Sequence, residues 1–142
     1  IIGIHGNKDN PGFPEYVTDV HLKPQKFGGV VFGGCQGAWP YKPIGHFLYS
    51  EEEIKEILAF LPRVDVFLTH NPPKGETEID DMVHNGFKSF NDYIKKHSPA
   101  YHLHGHVHKN KEFKIENTKV ISVFGMKELE INRRDLAGKD KK

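Results

Sequence analysis

Three short apolar runs constrain this chain most, because each is stopped by a loop rich in imidazole, amide or carboxylate groups. Ile1-Ile2-Gly3-Ile4-His5 runs into Gly6-Asn7-Lys8-Asp9. Val64-Asp65-Val66-Phe67-Leu68-Thr69 runs into His70-Asn71-Pro72-Pro73-Lys74-Gly75. Ala100-Tyr101-His102-Leu103-His104 runs into Gly105-His106-Val107-His108. Apolar runs of this length bounded by turn residues read as buried strands. In open α/β sheets ligands sit beyond the carboxyl ends of the strands, so the three loops are expected to meet at one rim.

The histidine-rich run is the most pointed of the three. Residues two apart in an extended segment face the same way, so His106 and His108 offer two ring nitrogens to one side. Gly105 lets the backbone turn sharply just before them. From these residues alone two readings stand, a strand edge with satisfied histidines and a metal site. Adding Asn7 and His70 gives a mixed amide-oxygen and imidazole-nitrogen donor set. That set suits Mn, Fe, Zn or Ni better than the all-oxygen cages of Mg or Ca.

The remaining chain supplies the elements between the loops. Gly28 to Cys35 reads as a β-branched core strand bracketed by glycines. Ser50 with Glu53 forms a capping box, and Ile54, Ile57, Leu58 and Leu61 make an apolar helical stripe that Pro62 ends. A second helix is expected to present Ile79, Met82, Val83, Phe87, Phe90 and Ile94 on one face. Asp80 and Asp81 fall in its first turn, and Ser98-Pro99 closes it. Residues 112–116, 119–124 and 127–132 read as a three-stranded meander, while 13–26 show no clear period. The fold class is therefore α/β. The loop from Gln36 to Gly45 places Trp39, Tyr41 and Lys42 where they could border a substrate, and Asn71 likewise, since such loops carry function. An aromatic lid on the core is an equal reading of Trp39 and Tyr41.

Bulk properties narrow the classes of function. A chain of 142 residues suits one domain, 1–142. Its 20 basic and 19 acidic residues leave a net charge of +1, which does not favour a nucleic-acid partner. One cysteine, Cys35, gives no internal disulfide and points to a reducing, cytoplasmic setting. No apolar run is long enough to span a membrane.

With these loops in view the chain resembles the calcineurin-like metallophosphoesterases, in particular their small phosphodiesterase-type members. The later motifs of that family are Gly-Asn-His-(Asp/Glu), a His after an apolar strand, and Gly-His-x-His. Here Gly6-Asn7-Lys8-Asp9, Leu68-Thr69-His70 and Gly105-His106-Val107-His108 match them in order, over roughly residues 1–132. The resemblance implies the later part of a four-layer α/β/β/α sandwich with mixed sheets. It implies metal-dependent hydrolysis of phosphate esters by a metal-bridging hydroxide. Asn7, His70 and His106 would hold one ion and His108 the other, with Asp9 and His104 or His5 orienting them from behind. Asn7 and Lys8 would be the catalytic residues. His21, His46, His84, His97 and His102 read as surface or core residues.

Two departures shape the expectation. The family's opening Asp-x-His and Gly-Asp motifs, which supply the bridging carboxylate, should precede Asn7, and only six residues do. Asp19-Val20-His21 lies on the wrong side of the first loop to replace them. The domain is thus expected to lack an N-terminal strand–helix–strand segment and to be inactive by itself. The sheet edge left behind would offer a surface for self-association. Lys8 stands where many members have His. It supplies positive charge to the phosphate but is a poor general acid at neutral pH, which favours diesters or activated leaving groups. A non-catalytic, protein-binding scaffold on the same fold is the alternative function. A nuclease-type member is a third reading.

Overall fold

A computed structural model describes residues 2–4, 18–37, 49–74, 86–105 and 110–131. The element order is β1 Ile2–Gly3, β2 Thr18–Asp19, β3 Gln25–Phe27, β4 Val30–Cys35, α1 Glu51–Leu58, β5 Val66–Thr69, α2 Lys88–His97, β6 Tyr101–His104, β7 Lys111–Ile115 and β8 Thr118–Ser122. Strands β3 to β8 form one mixed sheet in the order β3-β4-β5-β6-β8-β7. The fold is α/β, as expected.

The four inner strands β4, β5, β6 and β8 are parallel, and the outer strands β3 and β7 are antiparallel to their neighbours. Alternation along the inner strands sorts the core. Phe67 and Val120 face the helices, where they join Ile54, Leu58, Phe87, Phe90, Tyr93 and Ile94. Val66, Tyr101 and Ile121 face the other way, and Leu103, Leu129 and Ile131 pack against them. Phe67 is fully buried, with its ring 4.3 Å from that of Tyr93 and 5.7 Å from that of Phe90. Truncating a side chain so enclosed costs about 3–5 kcal/mol.

The capping box at Ser50 forms as read. Glu53 N–H donates to the Ser50 hydroxyl at 3.2 Å, and Ser50 N–H donates to the Glu53 carboxylate at 2.8 Å. The second helix differs from expectation. It begins at Lys88, and Phe87, its N-cap residue, is extended and bridges Pro73. Its first turn contains no acidic residue, so Asp80 and Asp81 do not play that part, and they lie outside the described residues. Glu51 of α1 supplies the missing charge. Its carboxylate accepts the Lys88 and Ser89 N–H groups at 3.0 and 2.7 Å, satisfying orphan donors of the α2 N-terminus.

The expected meander is also revised. β8 lies inside, parallel to β6, and β7 is the edge. Burial explains the order. Val120, Ile121 and Ser122 are buried, whereas β7 reads Lys-Glu-Phe-Lys-Ile with alternate residues exposed. Charged side chains on an outer strand blunt the edge against further pairing. Residues 127–131 form no strand. Two short strands, β2 and β3, lie in the stretch without a period.

At the amino end of the sheet, Asp65 is buried. Its carboxylate receives Arg63 at 2.8 Å and the Val31 N–H at 2.9 Å, and its carbonyl receives the N–H groups of Ala100 and Tyr101. This locks β4, β5 and β6 together at the end remote from the histidine-rich loop.

Candidate functional site

Parallel pairing in register puts the last residues of the inner strands side by side. Cys35 pairs with Thr69, Thr69 with His104, and His104 with Ser122. One rim of the sheet therefore carries the start of every following loop, including those at His70 and Gly105. β1 and β2 are parallel too, and His21 bridges Gly34 in the same sense. β1 thus runs in the same direction as β4, toward this rim.

His70 and Gly105 meet there. Gly105 N–H donates to the His70 carbonyl at 3.0 Å. A Cβ on Gly105 would lie 3.9 Å from His70 Nδ1 and 3.8 Å from the Val123 carbonyl oxygen. The loop after His70 is fixed on α2. Phe87 N–H donates to the Pro72 carbonyl at 3.1 Å, and Asn91 exchanges hydrogen bonds with both backbone groups of Lys74.

Two histidines of β6 line the helix side below the rim. His102 is fully buried, with its ring 4.7 Å from that of Phe67. Thr69 donates its hydroxyl proton to the Asn71 carbonyl at 2.7 Å, so its oxygen accepts from His102 Nε2 at 2.8 Å. The proton of His102 is therefore on Nε2, and Nδ1 has no hydrogen-bond partner among the described residues. Burial, and next the neighbouring His104, hold the His102 pKa well below the ordinary 6.5. Its ring is neutral and acts as a spacer between core and rim. His104, also buried, uses Nδ1 on the Gly105 carbonyl at 3.1 Å. A carbonyl can only accept, so Nδ1 carries a proton. His104 thereby steadies the glycine from which the Gly-His-Val-His run departs. The sequence places His104 behind the metal ligands by resemblance and leaves His102 as a surface or core residue; only the register reveals that Thr69 and His102 brace the start of the loop between them.

Of the remaining site residues, Asn71 is fully buried, with its carbonyl engaged by Thr69. Asn7, Lys8, Asp9, Trp39, Tyr41, His106 and His108 lie outside the described residues, as do His5 and Lys42. Among the described residues, no three His, Cys, Asp or Glu side chains come together as a metal site. His70, the described member of the ligand set that the resemblance implies, sits beside Gly105, where the Gly-His-Val-His run begins. Asp19 and His21 are occupied locally, Asp19 accepting the His21 N–H at 2.9 Å and His21 Nδ1 accepting the Gln36 N–H at 3.0 Å. Burial pushes the Cys35 thiol up to about 12, so it is no thiolate at this rim. A cleft of about 210 Å³ between α1 and α2, lined by Lys55, Leu58, Tyr93 and Lys96, shares no residue with the rim. No helix among the described residues is long and apolar enough to cross a membrane.

Comparison with known proteins agrees at the level of fold. TT1561 of Thermus thermophilus superposes with a TM-score of 0.54 at 20% identity, over 74% of this chain and 48% of that one. The likeness is one of fold. UPF0046 protein K07C11.7 of Caenorhabditis elegans is 28% identical over 108 residues, covering 73% of this chain and 36% of the relative. The chain thus spans just over a third of the curated relative and just under half of the solved chain. No family model matches the sequence.

Proposed function

We propose that this chain carries the later ligand set of a metallophosphoesterase, and that the complete protein hydrolyses phosphate esters, with diesters the favoured class. The observation that supports this most is the meeting of His70 with Gly105 at the rim toward which β1 also leads. The loops after β5 and β6, far apart in sequence, thereby start from one edge of one sheet, and β1 of the smaller sheet runs in the same direction. The fold-level likeness to TT1561 is consistent with that arrangement.

In this reading Asn7, His70 and His106 hold one divalent ion, and His108 contributes to a second. Mn, Fe, Zn or Ni suits the donors. When bound, such ions supply positive charge to the phosphoryl oxygens and acidify a water molecule. The protein's own residues do the positioning. His104 fixes the Gly105 carbonyl, the Thr69–His102 pair fixes the chain at Asn71, and the Gly86–Phe87 segment seats the Pro72-Pro73 loop. Lys8 adds charge toward the phosphate, and Asp9 orients a neighbouring ligand.

Metal analysis by inductively coupled plasma tests this reading on the full-length protein. About two equivalents of transition metal are expected, with a loss of about one in His70→Ala, because each ion needs its several protein ligands. A protein that stays metal-free after incubation with Mn would overturn the enzyme reading in favour of a protein-binding scaffold.

A further inference from the structure

The two helices carry exposed charges in patterns of opposite sign. α1 exposes Glu52, Lys55 and Glu56, and α2 exposes Lys88, Asp92, Lys95 and Lys96. Glu53 is also exposed, but its carboxylate is held by the Ser50 N–H at 2.8 Å. The Glu51 carboxylate, which accepts the Lys88 and Ser89 N–H groups, sets the two helices level at their N-termini. Both helices connect neighbouring parallel strands, so they run in the same direction. At about 1.5 Å per residue, Glu52 is level with the start of α2 at Lys88, Lys55 is level with Asp92, and Glu56 lies within a turn of Lys95 and Lys96. Acid thus stands level with base at each step. Among the described residues no ion pair joins α1 to α2 within one copy.

The cleft of about 210 Å³ lies between these helices, with Leu58, Ala59 and Tyr93 in its lining. Phe60 directly follows Ala59 and is 79% exposed. A single exposed aromatic is ordinary on a protein surface. This one adjoins a cleft of a size that admits an aromatic ring, since an engineered cavity of about 150 Å³ takes up benzene. A patch that holds a knob, a hole, and an acidic helix beside a basic one is self-complementary, as a two-fold contact between identical chains requires.

We propose that this helix face is the contact between two copies of the chain, related by a two-fold axis along the cleft, with Phe60 of each copy seated in the cleft of the other. That axis lays α1 of one copy over α2 of the other at the same level. Glu52 then meets Lys88, Lys55 meets Asp92, and Glu56 meets Lys95 or Lys96. An axis across the helices would lay α1 on α1 and set acid against acid, so the charges select the first arrangement. The cleft shares no residue with the His70–Gly105 rim, and the contact does not depend on the reading of that rim.

Analytical ultracentrifugation of the full-length protein tests the contact. A monomer–dimer equilibrium is expected, weaker at about 0.5 M salt than at about 0.05 M, because exposed charge pairs are screened. Phe60→Ser alters an exposed side chain, so the circular dichroism should be unchanged. Dimerisation should weaken roughly tenfold or more, as it does when an anchoring aromatic is lost from an interface. Glu52→Lys/Glu56→Lys and Lys88→Glu/Lys96→Glu should each be monomeric, because each faces like charge across the axis. An equimolar mixture of the two should restore a dimer, since opposite charges then meet on both sides. A protein that stays monomeric up to about 100 μM at low salt overturns the proposal, being too weak for a specific dimer. So does a dimer that every variant retains at its original strength, or a mixture of folded charge variants that fails to associate. Should a charge variant unfold, Phe60→Ser decides alone, and unchanged dimerisation refutes the contact.

Discussion

His70 and Gly105 are 35 residues apart in the chain and share a hydrogen bond of 3.0 Å, with the imidazole Nδ1 at van der Waals distance from the open side of the glycine. A methyl group at Gly105 would fit, since no neighbour comes closer than 3.8 Å to its Cβ position. Gly105→Ala is therefore expected to change the unfolding free energy by less than about 1 kcal/mol. At that distance the methyl meets the His70 ring without displacing it, so Mn affinity of the full-length protein should change little as well. Denaturation and metal titration on the same variant check both expectations.

Gly86 behaves oppositely. A Cβ there would collide with the Pro73 carbonyl group and lie 2.6 Å from the carbonyl oxygen of Pro72, both backbone neighbours. Gly86→Ala must push the His70 loop off α2, at a cost of at least about 2 kcal/mol. Urea unfolding measures this directly, and a variant as stable as the original would mean that the loop is not seated there.

His102 makes stability depend on pH. Its pKa is lowered in the folded protein, by burial first and by His104 next. Above its ordinary value of 6.5 the ring is neutral in both folded and unfolded chains, and its contribution is fully present. As pH falls below that value the unfolded chain takes up a proton that the folded chain refuses. Stability then declines by up to about 1.4 kcal/mol per pH unit from this group. His97, lowered by burial and by Lys96 and Arg63, acts in the same sense from a more exposed place. His102→Phe removes the titration while keeping the stack on Phe67. Its stability should therefore fall less steeply between about pH 6.5 and 5.5 in denaturant titrations, and equal slopes would contradict the assignment.

Glu51 ties two helices with one carboxylate. Glu51→Ala deprives Lys88 and Ser89 of their acceptor and removes a negative charge from two helix N-termini. A loss of about 1–2 kcal/mol is expected by thermal or chemical denaturation. Glu52→Ala, one residue on and exposed, is the control that should change little.

The sequence made the inner strands and the first helix legible because their signals are local. Val66 to Thr69 and Tyr101 to His104 are short apolar runs with turn residues after them, and Ser50 and Glu53 cap each other within one turn. Signals carried by distant residues were not legible. Phe87 looks helical by spacing, but Pro72 and Pro73, distant in the chain, hold it extended. The carboxylate at the N-terminus of α2 comes from Glu51 of the other helix, 37 and 38 residues from the N–H groups that it accepts. β8 takes the place beside β6 and β7 the edge because the whole sheet, not the hairpin, decides which strand is buried. At the site, His70 could be chosen from its place after a strand, whereas the Thr69–His102 brace depends on register.

Hydrolysis of bis-p-nitrophenyl phosphate by the Mn-loaded full-length protein, compared with its His106→Ala variant, tests the central claim most directly. The account predicts chelator-sensitive turnover that falls at least about a hundredfold in the variant, since one ligand of a metal needed for charge neutralisation is gone. Turnover unchanged in His106→Ala would contradict it.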